Sequence, residues 1–149
     1  AAVLRADDAL RRALADAAEG GRGWDRALQT LSQPPFTKVA FKRTLNAYSD
    51  NIYYVDRDRA NAYLGGGAAP TNTQTIAYLH RNDCLTNIEA LVSELEFLIG
   101  ERDGQRDATD TADLKQFSAA AAAALGKYLS LVPPPEMAAA RALIAGKSS

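Results

Sequence analysis

The stretch "CLTNIEALVSELEFLI", Cys84 to Ile99, decides the fold. Its apolar residues recur at alternating spacings of four and three, which places them on one face of an α-helix. Further apolar residues beside this face widen it, so we predict that this helix is the most deeply buried in the protein. The face consists of Cys84, Ile88, Leu91, Leu95 and Leu98, widened by Leu85, Val92 and Ile99.

The residues that precede this helix show the same repeat after Pro35. The spacing predicts a second long helix, with basic and polar residues on the side opposite the apolar face. We expect Gly65 to Gly67 and Pro70 to end it, and Thr71 to Thr73 to supply N-cap residues for the helix that follows. The apolar face comprises Phe41, Leu45, Tyr48, Ile52 and Val55, and the opposite side carries Lys38, Lys42, Arg43 and Asn46.

On the C-terminal side, the polar stretch from Gly100 to Asp113 predicts a loop, and Asp110 or Thr111 is placed to cap another helix. Pro133 to Pro135 should end that helix, and Glu136 to Ala145 should form a short terminal helix. The residues of the capped helix predicted to face inward are Leu114, Phe117, Ala121, Leu125, Tyr128 and Val132.

The N-terminal third is also predicted to be helical. A segment rich in Ala, Leu and Arg runs from Ala2 to Glu19, and Gly20-Gly21 and Gly23 are expected to stop it. A short helix from Trp24 to Leu31 follows, and "SQPPF" then breaks the chain. No segment alternates apolar and polar residues as a strand would.

These patterns together predict an all-α fold: an antiparallel four-helix bundle with short extra helices at the termini, spanning 1–149 as one domain. The alanine-rich tract from Ser118 to Ala124 suits such a bundle, because small side chains let a neighbouring helix approach closely. The alternative interpretation of the tract is a low-complexity linker.

Composition narrows the possible functions. The 149 residues carry a net charge of −1, so the chain lacks the basic excess with which proteins displace counterions from nucleic acid. The longest wholly apolar run, Ala119 to Leu125, is too short to span a membrane. The chain begins at Ala1 and its only methionine is Met137, which favours a mature protein cut from a precursor over simple removal of the initiator methionine.

The sequence offers little chemistry for catalysis or metal binding. His80 and Cys84 stand four residues apart on one helix, but there is no second His or Cys to complete a zinc site, so Cys84 is expected to pack as a small apolar residue. The carboxylates of Glu89, Glu94 and Glu96 lack the Glu-x-x-His pairs of a di-iron bundle. The stretch "GGGAAP" lacks the lysine of a phosphate-binding loop. We therefore expect no enzymatic activity, no cofactor and no metal.

The stretch "NIYYVDRDRANAYLGGG", Asn51 to Gly67, combines three tyrosines with two arginines. The charges by themselves are compatible with a solvated helix end. The tyrosines cannot all face one core beside Ile52 and Val55, however, and Tyr and Arg dominate protein-binding hot spots. We therefore predict a partner-docking patch, with the basic residues of the preceding helix adding attraction. Its residues are Tyr53, Tyr54, Arg57, Arg59, Tyr63, Lys38, Lys42 and Arg43.

Three stretches carry a resemblance to a known family: "AAVLRADD" (Ala1 to Asp8), "LNAYSDNIYYVDRDRANAYL" (Leu45 to Leu64) and "TNTQTIAYLHRNDCLTNIEAL" (Thr71 to Leu91). With the helix pattern around them, they resemble the extrinsic lumenal subunits of photosystem II, which include the PsbQ-type four-helix bundles and the related extrinsic subunit of diatoms and other red-lineage algae. The first stretch looks like the N-terminus of a plastid lumenal protein after removal of its transit peptide.

The resemblance implies a non-catalytic function in the thylakoid lumen. Such subunits dock on the membrane-embedded core subunits of photosystem II and on other extrinsic proteins, and they help to retain the calcium and chloride of the oxygen-evolving complex. Two alternatives from other classes remain. A lumenal assembly factor or adaptor would have an apolar groove left over for a partner helix. A ligand-binding bundle would have a concave apolar pocket, against which the alanine tract argues.

Overall fold

The structure is a computed structural model that describes residues 1–50, 72–106 and 109–148. These residues form six helices, and none of them forms a strand. The predicted all-α fold class is therefore confirmed. The helices are α1 (Ala2–Glu19), α2 (Arg22–Leu31), α3 (Lys38–Ser49), α4 (Asn72–Asp103), α5 (Ala112–Ser130) and α6 (Pro134–Ser148).

Helix α4 supplies a large share of the buried core, as its repeat of apolar residues predicts. All five residues of its apolar face are buried, together with Leu85. Helix α4 packs against α2, α3 and α5, and α1 packs against α2, α3, α5 and α6. The cluster at the centre is completed by residues of the other helices, among them Leu10, Phe41, Leu45, Leu125 and Tyr128.

Helices α1 and α2 form a hairpin that depends on glycine. Gly20 and Gly21 adopt positive φ angles of 71° and 55° at the turn, a region that favours glycine. A Cβ atom at Gly23 would lie 2.1 Å from the carbonyl oxygen of Asp16, so only glycine lets α2 approach α1 this closely. Trp24 then packs against α1, and its indole Nε1 donates to the carbonyl oxygen of Ala17 at 3.1 Å.

Three helix boundaries differ from the sequence prediction. Helix α2 begins at Arg22 rather than Trp24, so Gly23, expected to be one of the glycines that stop α1, lies within α2. Helix α4 continues through Gly100 to Asp103, where a loop was expected. Arg102 lies in this added turn and binds Asp25 of α2, with Nη1 to Oδ2 at 2.8 Å, and a cation is favoured near a helix C-terminus. Helix α6 begins at Pro134 rather than Glu136. Proline is favoured at the first position of a helix, because the backbone N–H that it lacks would have no partner within the helix there.

The small residues of α5 allow the close approach predicted for the alanine tract. Ala121 and Ala124 are buried, and the Sγ atom of Cys84 on α4 lies 3.5 Å from the carbonyl oxygen of Ala121. At the start of α5, Thr111 is the N-cap residue but its side chain makes no capping hydrogen bond, and Oδ1 of Asp110 accepts from the N–H of Ala112 at 3.2 Å.

Candidate functional site: a tyrosine–arginine cluster between α3 and α4

The predicted docking patch is divided between described and undescribed residues. Tyr53, Tyr54, Arg57, Arg59 and Tyr63 fall in 51–71 and lie outside the described residues, as do Ile52 and Val55 of the predicted apolar face.

The three basic residues of the patch lie on α3. Lys38 and Arg43 are exposed, and Lys42 is half-buried. Lys38 and Lys42 stand one turn apart, and the same i+4 row continues through Asn46 to Asp50 at the C-cap. The row therefore leads from the two lysines to the point where the described part of α3 ends.

Four side chains meet where this row reaches α4, and we call them the tyrosine–arginine cluster: Asn46, Asp50, Tyr78 and Arg81. The Tyr78 hydroxyl donates to Asp50 Oδ1, and Arg81 Nη1 donates to Asn46 Oδ1. The Arg81 guanidinium lies over the Tyr78 ring, 5.0 Å from its centroid, a cation–π geometry. As residue numbers rise along α3 they fall along α4, so the two helices run in opposite directions here.

Hydrogen bonds beneath the cluster connect the same two helix ends. Gln74 is buried, and its Nε2 donates to the carbonyl oxygen of Ser49 at 3.1 Å. The Ser49 hydroxyl in turn donates to the carbonyl oxygen of Leu45 at 3.1 Å. These contacts hold Asp50, at the end of α3, close to the first turns of α4.

Burial acts on the ionisation of Tyr78. It raises the pKa of the phenol, and the hydrogen bond to Asp50 and the negative charge of that carboxylate raise it further. The hydroxyl therefore stays protonated and able to donate at physiological pH.

Two apolar residues of α4 that are close in sequence to Tyr78 are exposed. Leu79, which follows Tyr78, is 56% exposed, and Ile76 is 42% exposed. Exposed leucine and isoleucine supply apolar area, and the tyrosine and arginine supply directional donors, which are the two kinds of contact that protein interfaces use. The sequence analysis missed Ile76, Tyr78, Leu79 and Arg81, although the i, i+3 spacing of Tyr78 and Arg81 was a signal that they share a helix face.

The predicted packing of Cys84 is confirmed. Cys84 is fully buried on α4, and burial raises the pKa of its thiol to about 12, so it stays a thiol. Within the described residues, no three His, Cys, Asp or Glu side chains are grouped so that they could hold a metal ion. No helix of the described chain is long and apolar enough to cross a membrane.

Removing metal ions is expected to leave the protein unchanged. Cys84 contacts Ala121 inside the core, whereas His80 is only half-buried. The two side chains therefore do not form a metal site from which a chelator could remove an ion. Thermal melting followed by circular dichroism, with and without EDTA, should give the same melting temperature. A large drop with EDTA would show that a metal site contributes to folding.

Tyr128 links α5 to α3 within the core. It is fully buried, its hydroxyl donates to the carbonyl oxygen of Leu45, and its ring meets that of Tyr48 edge-on with centroids 6.2 Å apart. Burial raises the Tyr128 pKa to about 12. Tyr48 is half-buried, and its hydroxyl donates to the carbonyl oxygen of Leu131 at 3.4 Å.

Tyr128 is expected to make the fold sensitive to alkali. A tyrosine in the unfolded chain loses its proton near its ordinary pKa of about 10, whereas folded Tyr128 keeps it to about pH 12. The unfolded state therefore binds fewer protons between these values, and the free energy of unfolding should fall by up to about 1.4 kcal/mol per pH unit.

Tyr128→Phe removes this ionisation. Urea unfolding at neutral pH should show a loss of about 0.5–1.5 kcal/mol for the missing hydrogen bond. As the pH rises above about 10, the difference between wild type and variant should shrink and then reverse. Parallel stability curves for the two proteins across that range would contradict the assignment.

Comparison of the chain with protein-family models, with curated protein sequences and with solved structures finds no match.

Proposed function

We propose that this protein is a non-catalytic extrinsic subunit that docks on the lumenal face of photosystem II and stabilises the oxygen-evolving complex. The observation that supports the proposal is the tyrosine–arginine cluster, on a helix that also exposes Leu79 and Ile76. The class of function, docking to a protein, rests on these contacts. The choice of photosystem II rests on the resemblance of the three sequence stretches.

The cluster has the properties of a docking anchor. Arg81 and Tyr78 are held in place before any partner binds, because Arg81 donates to Asn46 and Tyr78 donates to Asp50. Such pre-organisation lowers the entropy cost of binding. The lysines at 38 and 42 extend the surface with positive charge, which suits acidic loops on the partner.

The proposal includes the finer architecture and the location. Helices α1, α3, α4 and α5 pack in a closed ring, each against the next, and α3 and α4 run in opposite directions. These contacts support an antiparallel four-helix bundle with α2 and α6 as additional short helices. We place the protein in the thylakoid lumen of a plastid, peripheral on the membrane, with photosystem II core subunits and other extrinsic proteins as partners.

Rebinding to salt-washed photosystem II membranes tests the proposal, and the chain offers a matched pair of variants. Leu79→Ser removes the exposed leucine that follows Tyr78 in sequence, and Leu143→Ser removes one of nearly equal exposure, 59%, on α6. Burying a leucine in an interface is worth about 1.5–3 kcal/mol. Leu79→Ser should therefore bind about tenfold or more weakly, and Leu143→Ser should bind like wild type.

Bound protein and restored oxygen evolution are scored for all three proteins. Equal binding by the two variants would place the docking surface elsewhere on the molecule. Failure of the wild type to rebind would refute docking on the mature complex. Binding only to incompletely assembled complexes would favour the alternative function, a lumenal assembly factor.

A further inference from the structure

A second site lies away from the tyrosine–arginine cluster, in a cavity of about 240 Å³ among α1, α3, α5 and α6. Its walls are largely apolar, formed by residues such as Val3, Leu129, Val132 and Met137. Apolar cavities of roughly 150 Å³ stay dry and take up small apolar molecules, so this one has room for an organic ligand.

Glu136 supplies the charged side chain of a largely apolar lining, which also includes Ala1 at the start of the chain. Glu136, in the first turn of α6, is the single acidic residue among those that line the cavity. Its Oε2 atom is buried and has no hydrogen-bond partner among the described residues. A buried acceptor without a donor is unfavourable, so a ligand that supplies the donor gains free energy on binding.

The neighbouring hydroxyl groups do not supply this donor. Tyr48 and Tyr128 both line the cavity, but they donate to the backbone oxygens of Leu131 and Leu45. Burial raises the pKa of Tyr48, and the negative charge of Glu136 raises it further, as expected for a carboxylate near that ring. The cavity therefore combines an apolar interior, two aromatic rings and one unpaired carboxylate oxygen.

We propose that this cavity binds a small amphipathic monocation, an alkylammonium with about six carbons, whose head group donates to Glu136 and whose tail lies among the apolar walls. A single carboxylate suits one positive charge better than a divalent ion. The cavity is below the roughly 300–1,000 Å³ of drug-sized pockets, which limits the ligand to about ten heavy atoms or fewer. The site involves none of the residues of the docking proposal.

The experiment compares three probes with the same six-carbon tail: hexylammonium, hexan-1-ol and hexanoate. Isothermal titration calorimetry at neutral pH should show hexylammonium binding at least tenfold more tightly than hexan-1-ol, and hexanoate binding most weakly. Glu136→Gln keeps the shape of the side chain and removes its charge, and it should abolish the preference for hexylammonium over hexan-1-ol.

A second variant separates the cavity from the charge. Ala140→Phe places a ring in the same cavity and should abolish binding of all three probes, and circular dichroism checks that both variants fold. Equal affinity for hexylammonium and hexan-1-ol would overturn the proposal, as would an unchanged preference in Glu136→Gln. Absence of binding by any probe, with only ordered water on Glu136 in a crystal structure, would also overturn it.

Discussion

Replacing Leu91 with alanine is expected to lower the free energy of unfolding by about 2–5 kcal/mol. Leu91 is fully buried near the middle of α4, the helix that packs against α2, α3 and α5. Truncation removes the transfer free energy of the buried methyl groups and leaves a cavity that three neighbouring helices cannot close without losing their own packing.

Urea unfolding followed by circular dichroism measures this loss, and α4 supplies its own control. Phe97 lies on the same helix but is 59% exposed, so Phe97→Ala should change the free energy of unfolding by no more than about 0.5 kcal/mol. A loss below about 0.5 kcal/mol for Leu91→Ala would place Leu91 outside the cooperative core.

The combined change Tyr54→Ala and Arg57→Ala is expected to weaken docking about a hundredfold. Each truncation of a hot-spot residue costs about 2 kcal/mol or more, and a hundredfold allows for non-additivity between the two. Both residues belong to the segment 51–71, which follows Asp50 of the tyrosine–arginine cluster in sequence and precedes α4. Neither position belongs to the predicted apolar face, so helicity and melting temperature should not change.

The same rebinding assay measures the effect, with Arg5→Ala combined with Arg12→Ala as a control for loss of positive charge on the exposed side of α1. Higher salt should weaken the residual binding only in part, because aromatic contacts are not screened whereas the lysines at 38 and 42 are. Equal rebinding by wild type and the Tyr54 and Arg57 variant would mean that the tyrosines only cap the bundle.

The features of the candidate site that the sequence predicted are those that depend on a single helix. Lys38 and Arg43 are exposed where the period of α3 places them, and Phe41 and Leu45 are buried on the opposite side. Tyr78 and Arg81 were not predicted as site residues, because their role depends on Asp50 and Asn46 of another helix. The spacing of apolar residues indicates which side of a helix is buried, but it does not identify the neighbouring helix that packs against that side.

The same distinction applies to Glu136. In the sequence it is an ordinary acidic residue near the start of a short terminal helix, where negative charge is favoured. Only the packing of α6 beside α1, α3 and α5 brings it into an apolar cavity. The sequence-based argument against a ligand pocket relied on the alanine tract of α5, and the cavity lies beyond that tract, next to Leu129 and Val132.

The sequence by itself determined the all-α fold class, the approximate positions of the helices within the described residues and the burial of Cys84 and Leu91. Each of these follows from local periodicity and from glycine and proline, which act within a few residues along the chain. The tertiary structure alone decided that α4 extends to Asp103, where Arg102 reaches Asp25 of α2. It alone brought Arg81 to Asn46 and left Glu136 Oε2 without a hydrogen-bond partner among the described residues, because such contacts join residues far apart in sequence and depend on how whole helices pack.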